Sequence, residues 1–389
     1  MKFDFDRVIN RRNTNSAKWD LVKKIFGDED VLPLWVADMD FQTAPCVIEA
    51  LEKLASHGIF GYTARPESYY EAIAGWVMRR HGWYINTEWL TYSPGVVTAL
   101  NLCIITFSQP GDGVIIQPPV YYPFFRAIKN NGRSVENNPL IFQDARYFMD
   151  IENLNSLAKD RTRLMIISNP HNPVGRVWKE PELRKIGEFC VKNDVILISD
   201  EVHSDIVYSG YKHIPVSSLS EEIANQTITC IGPSKTFNLA GLKTSSIIIP
   251  NPKLRKLYNT TLTNLSIGAD NSFGLAALEA AYRHGDEWLT VLLEYLEANM
   301  DFAVNYFQER IPKIKALKSE GTYLMWLDCR ELGHDKDELD RFMREKAKVW
   351  FDDGPMFGPG GEGFQRINIA CPRSILEEAL KRIEDAVSP

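Results

Sequence analysis

Val195-Ile196-Leu197-Ile198-Ser199-Asp200-Glu201-Val202-His203 is an unbroken apolar run that ends abruptly in an acid pair and a histidine. A short run that is apolar on both faces predicts a strand inside a sheet covered by helices on each side, with Asp200 at its carboxyl end. Three more runs share the pattern: Gly113 to Gln117, Arg163-Leu164-Met165-Ile166-Ile167-Ser168, and Thr227-Ile228-Thr229-Cys230-Ile231, with a fifth strand-like stretch at 244–249. Helically spaced apolar residues fill 45–57 and 95–107 between them. Strands alternating with helices predict an α/β protein built on a mostly parallel sheet.

Outside this core, residues 275–311 read as one long helix charged on one face, bridging to a second unit. Strands at 322–327 and 364–370 flank a helix around Lys336–Glu345, which predicts a smaller α+β C-terminal domain. The domain expectation is an N-terminal arm and small-domain part over 1–44, a large domain over 45–284, and a small domain over 285–389. A chain of 389 residues exceeds what one hydrophobic core sustains. No internal repeat and no low-complexity segment interrupts it.

The formal charge of −7 argues against a general nucleic-acid or anionic-membrane binder. No apolar run is long enough to span a bilayer. The first residues, MKFDFDRVINRR, lack the apolar stretch of a signal peptide. Six scattered cysteines (Cys46, Cys103, Cys190, Cys230, Cys329, Cys371) form no CxxC pair and no zinc spacing, so no metal is expected; reduced, mostly buried thiols and a cytoplasmic location are.

In open α/β sheets functional groups gather at the carboxyl ends of strands, and here those ends are loaded. The run at 163–168 opens into Asn169-Pro170-His171-Asn172-Pro173-Val174-Gly175, and Thr227–Ile231 opens into Gly232-Pro233-Ser234-Lys235-Thr236-Phe237. Ser93-Pro94-Gly95-Val96-Val97 is a glycine turn entering a helix, whose free N–H groups suit a phosphate. Each piece alone has a plainer reading. A lysine after a strand is usually solvated, an aspartate there is commonly a cap, and NPxNP makes a respectable double turn. Four such junctions in one chain outweigh those readings. Gly358-Pro359-Gly360-Gly361-Glu362-Gly363 fits GxGxxG literally, but it leads into a strand-like run and reads as a loop, not a dinucleotide site. Walker A, HExxH and EF-hand patterns are absent. Trp35, Trp76, Trp83 and Trp89 read as packing, and Arg126 and Arg373 as solvated.

Together these motifs resemble the aspartate-aminotransferase-like superfamily of fold-type-I pyridoxal-5′-phosphate (PLP) enzymes, from about Leu32 to Arg373. Within it, Pro33-Leu34-Trp35-Val36-Ala37-Asp38-Met39-Asp40-Phe41, Asp200-Glu201-Val202-His203-Ser204-Asp205 and Pro233-Ser234-Lys235-Thr236-Phe237-Asn238-Leu239-Ala240-Gly241-Leu242 are similar to the cystathionine β-lyase (C–S lyase) branch. The resemblance implies the PLP transferase fold of type I and a role for each matching residue. Lys235 would carry PLP and act as base at the substrate Cα. Asp200 would pair with the pyridine nitrogen. Asn172 would donate to the ring 3′-oxygen and touch substrate, and Tyr121 would stack on the ring and assist proton transfer. Gly95, Val96 and Val97, with Ser234 and Lys243, would hold the phosphate. Tyr62 would reach the phosphate of a neighbouring subunit, implying a homodimer with shared sites. Arg366 would take the substrate α-carboxylate in a two-pronged contact, beside Val36 and Ala37.

Three positions depart from the broader aminotransferase pattern. His203 stands where many relatives carry Tyr, Lys243 where an Arg usually grips the phosphate, and Gly232 where a hydroxyl residue is frequent. His203 reads equally as a hydrogen-bonding group behind the cofactor or as a chemical participant. The implied reaction is α,β-elimination on a sulfur amino acid, L-cystathionine or L-cysteine. An aminotransferase on the same scaffold is the first alternative. A regulatory binding protein that keeps the fold is the second, and a nicotinamide enzyme is remote.

Overall fold

The computed structural model describes residues 3–268 and 271–388. Seven strands build the large sheet: β1 (Leu90–Ser93), β2 (Gly113–Ile116), β3 (Ser134–Asn137), β4 (Thr162–Ser168), β5 (Ile196–Asp200), β6 (Thr227–Ile231) and β7 (Ser245–Ile248). Their order is β1-β7-β6-β5-β4-β2-β3. The five strands from β6 to β3 are parallel, and β7 runs antiparallel to both of its neighbours. The sheet is therefore mostly parallel, as the two-faced apolar runs require. Leu164, Ile166, Ile198 and Ile228 pack on one face with the helix Val96–Phe107, while Met165, Ile167 and Leu197 pack on the other with the helix Glu180–Lys192.

A second sheet, of β8 (Lys315–Leu317), β9 (Leu324–Asp328), β10 (Asp352–Asp353) and β11 (Phe364–Asn368), runs in the order β8-β9-β11-β10 and is wholly antiparallel. The loop over 358–363 does feed β11, as its sequence context indicates. Residues from the N-terminal arm join this unit, since Leu32 and Pro33 pair in parallel with Val349 and Trp350.

Two expectations need correction. Residues 275–311 form two helices, Ser272–His284 and Asp286–Arg310, joined at Gly285. A Cβ on Gly285 would come within 2.3 Å of the Phe237 ring, so the joint is a close approach of helix to core that continuous apolar spacing does not reveal. Arg373 is not a solvated end. It lies over the Phe302 ring at 4.3 Å and its Nε donates to Asn299 at 2.8 Å. Arg126 is exposed. Trp76 and Trp83 are buried, and half-buried Trp35 stacks on Trp350 at 4.1 Å. All six cysteines are free, five of them buried.

Candidate active site

The carboxyl ends of β4, β5 and β6 lie side by side, because Ser168 pairs with Asp200 and Asp200 with Cys230. That register carries the chain segments after each strand to one place. They line a pocket with about 850 Å³ of empty space, together with the start of the helix Val96–Phe107. Of the expected site residues, Ala37, Gly95, Val96, Val97, Tyr121, Asn172, Asp200, His203, Ser234, Lys235 and Lys243 all line it. Arg366 stands behind Asn172, donating Nη1–H to its Oδ1 at 2.9 Å. Val36 does not reach the wall; its carbonyl accepts from Asn368 at 2.7 Å. Tyr62 lies in a fully exposed position of the segment between 58 and 66, outside this pocket.

Local structure aims each group. Gly95 has φ 109°, a conformation that suits glycine, and it turns the chain so that Val96 opens a helix at the pocket edge. The first-turn N–H groups of Val96, Val97 and Thr98 have no carbonyl partner within their own helix. The helix macrodipole adds positive potential there, and Ser234 and Lys243 stand on the same wall. Lys235 sits in the short helix Pro233–Thr236, fixed by Thr236, whose hydroxyl donates to buried Asp205 at 2.8 Å. His171 holds the approach to Tyr121 by donating Nε2–H to the Pro119 carbonyl at 2.9 Å.

The electrostatics of the pocket are unsettled. Asp200 is buried, and burial raises its carboxyl to about 7; one N–H, from Val202 at 3.2 Å, and the charge of Lys235 only partly oppose this. Lys235 donates to the Ala37 carbonyl at 2.6 Å. Burial, then the charge of Arg366, lowers its amine to about 8, while Asp38 and Asp200 pull the other way. Burial and the cations Lys235 and Arg366 hold His203 neutral, well below the usual imidazole range, and its Nδ1 has no partner. The Tyr121 hydroxyl is pushed up by burial and stays protonated.

These groups fit PLP. An under-bonded buried carboxylate awaits a cationic ring nitrogen, an amide stands at the side, an aromatic wall is present, and a helix N-terminus with a hydroxyl and an ammonium suits a phosphate. No group of three or more metal-ligating side chains occurs among the described residues.

Sequence reading did not single out Thr98, Ser168 and Thr244 on the pocket wall, nor two residues that support site groups from behind. Asp352 contacts Arg366, and Tyr323, fully buried, donates its hydroxyl to the Ala37 carbonyl at 2.9 Å. Neither stands in a motif; Asp352 comes into register with Arg366 only when the small sheet forms.

The pattern of the family described as aminotransferase class I and II matches residues 29–383. The chain is 44% identical over 386 residues to the cystathionine beta-lyase PatB of Bacillus subtilis (strain 168), covering 99% of this chain and 100% of that one. Cystalysin from Treponema denticola, solved with a pyridoxal 5′-phosphate cofactor, superimposes with a TM-score of 0.96 at 41% identity, over 99% of each chain. A PLP-bound protein from Clostridium difficile 630, named for the aminotransferases, superimposes with a TM-score of 0.97 at 48% identity over 99% of this chain and 100% of that one.

Proposed function

The chain belongs to the class I and II aminotransferase family, and on that premise we propose that it is a PLP-dependent carbon–sulfur β-lyase. It cleaves L-cystathionine to homocysteine, pyruvate and ammonia, and L-cysteine to sulfide, pyruvate and ammonia. The observation that carries this reading is full-length identity of 44% to a cystathionine beta-lyase, joined to a pocket in which Lys235, Asp200 and Asn172 converge.

PLP, when bound, supplies an electron sink next to the substrate Cα. Lys235 would carry it through its amine, Asp200 would pair with the ring nitrogen, and the turn at Gly95, Val96 and Val97 with Ser234 and Lys243 would hold the phosphate. Arg366, with Asn172 and Ala37, orients the substrate. The substrate amine would replace the Lys235 amine on the cofactor, and the released amine, which titrates near 8 when free and is then partly unprotonated at neutral pH, can accept the Cα proton. Tyr121 keeps its own proton and can give it to the departing sulfur. The C–S bond breaks as the Cα proton leaves, and the resulting 2-aminopropenoate hydrolyses to pyruvate and ammonia.

The protein acts as a homodimer in which Tyr62 reaches the partner's phosphate site. The support is a fully exposed tyrosine flanked by exposed Ile59 and Phe60, and exposed Val97 at the pocket mouth. A cytoplasmic location is supported by six unpaired cysteines; no helix among the described residues is long and apolar enough to cross a membrane.

The name of the Clostridium difficile relative favours one alternative, an aminotransferase. Incubating the PLP-loaded protein with L-cystathionine and no 2-oxo acid separates the two. Equal amounts of pyruvate and free thiol are expected; no product until a 2-oxo acid is added would replace the lyase with the aminotransferase.

A further inference from the structure

Asp352 is a buried carboxylate that the reaction above does not use. It lies on β10 directly opposite Arg366 on β11, and both side chains are almost wholly enclosed. Its Oδ2 accepts from Nη2 of Arg366. The same Nη2 also donates to the Trp35 carbonyl at 3.1 Å, and Nη1 donates to Asn172. Nε is buried with no partner. A guanidinium grips a carboxylate through two N–H groups on one edge, and both usable edges, Nε with Nη2 and Nη1 with Nη2, include Nη2. Both Nη2 hydrogens are already engaged. The two-pronged contact expected of Arg366 is therefore closed to a ligand while Asp352 stays in place.

We propose that Asp352 is a specificity-determining residue: its carboxylate holds the position on Arg366 that the substrate α-carboxylate takes, and a substrate binds by displacing it. This rests on the reading of Arg366 as the carboxylate receiver. The exchange swaps one carboxylate for another on the same cation, so a ligand gains only the difference between them. It also keeps a buried arginine from standing unpaired in the free protein, where a lone charge would be costly. Ligands with an amine but no carboxylate gain nothing from Arg366 and leave Asp352 where it is. The site thus discriminates by competition at one edge of one side chain.

The test titrates PLP-loaded protein with L-alanine, which has the amine and carboxylate but no leaving group, and reads the cofactor's visible absorbance. Ethylamine, which is alanine without its carboxylate, is the control. Asp352→Asn is expected to tighten alanine on the order of tenfold, the scale of one released charge-assisted hydrogen bond, and to leave ethylamine unmoved. Alanine binding that is unchanged or weaker in Asp352→Asn overturns the proposal and makes Asp352 a support for Arg366. Arg366→Lys tests the underlying reading separately: alanine should weaken, and if it does not, Arg366 is not the receiver whatever Asp352 does. Asp352→Ser repeats the measurement if the Asn variant does not fold. The unaltered protein gives a check without any variant. Competition predicts that alanine exceeds ethylamine by less than about a hundredfold, since most of the gain from a charge-assisted pair is cancelled; a larger ratio contradicts it.

Discussion

Two charged clusters meet the segment around Ala37, one through Asp38 and Asp40 and the other through the Lys235 contact to the Ala37 carbonyl, and they are built in opposite ways. On one side, Asp40 is buried with its oxygens fully engaged: Lys18 donates at 2.6 Å, Trp19 at 2.8 Å and Arg11 at 2.7 Å. Arg11 also forks onto Asp38 at 2.7 and 3.0 Å, and Lys18 is wholly enclosed. The carboxyl of Asp40 is held below its ordinary range, since these partners outweigh the effect of burial, the largest single influence. On the other side, Asp200 has one N–H and a raised carboxyl, His203 has an orphan nitrogen, and Lys235 has a lowered amine. A cluster whose partners are complete is architecture. A cluster whose partners are missing awaits a ligand.

The architectural cluster serves the other one. Asn238, three residues after Lys235, bonds the backbone of Met39 and Phe41, and Asn368 bonds the carbonyls of Val36 and Asp38. The segment over 36–41 is thereby fixed between the two sheets, and the Ala37 carbonyl is presented to Lys235.

The contrast can be broken from either side. The largest effect is expected at Lys235: Lys235→Ala should lower pyruvate release by at least about a thousandfold, because both the anchor and the Cα base are lost. A residual rate within tenfold of the parent would place the base elsewhere. Next comes Lys18→Met, which leaves a buried carboxylate short of a cation. A loss of about 3–5 kcal/mol in urea unfolding is expected, with turnover per folded molecule nearly kept; a loss under 1 kcal/mol would make this cluster no more structural than a surface pair. The smallest, and opposite in sign, is Asp200→Asn in cofactor-free protein. The folded carboxyl titrates near 7 against an ordinary value of 3.8, so the folded state binds more protons between those values. Stability of the parent should fall as pH rises through that window and stay level above it. The variant should lack that slope and be more stable at pH 8 by about 2–4 kcal/mol, while binding PLP more weakly. Equal slopes in the two proteins would mean that Asp200 is already satisfied.

Much of the second cluster was legible in the sequence, because its members sit at the ends of apolar strands and the chain marks those ends with Pro, Gly and Asn. The strands β2, β4, β5 and β6 were readable from their apolar runs. The polar edge strand β3 (Ser134–Asn137) was not, since none of its four residues is fully buried and the apolar signature is lost. Nor was β1 readable, whose four residues Leu90-Thr91-Tyr92-Ser93 carry no distinct period. The first cluster was invisible for a different reason. Lys18 and Asp40 are 22 residues apart, and Arg11 and Asp40 are 29, so no local spacing announces the pairing. Asp352 stayed hidden likewise, because its meaning comes from cross-strand register.

The central claim is that the under-partnered pocket holds PLP through Lys235. Borohydride reduction of the PLP-loaded protein, followed by proteolysis and mass spectrometry, tests it directly. A pyridoxyl adduct confined to Lys235, and absent from Lys235→Ala, is the predicted result. An adduct on another lysine, such as Lys243, or a label that persists in Lys235→Ala, would contradict it.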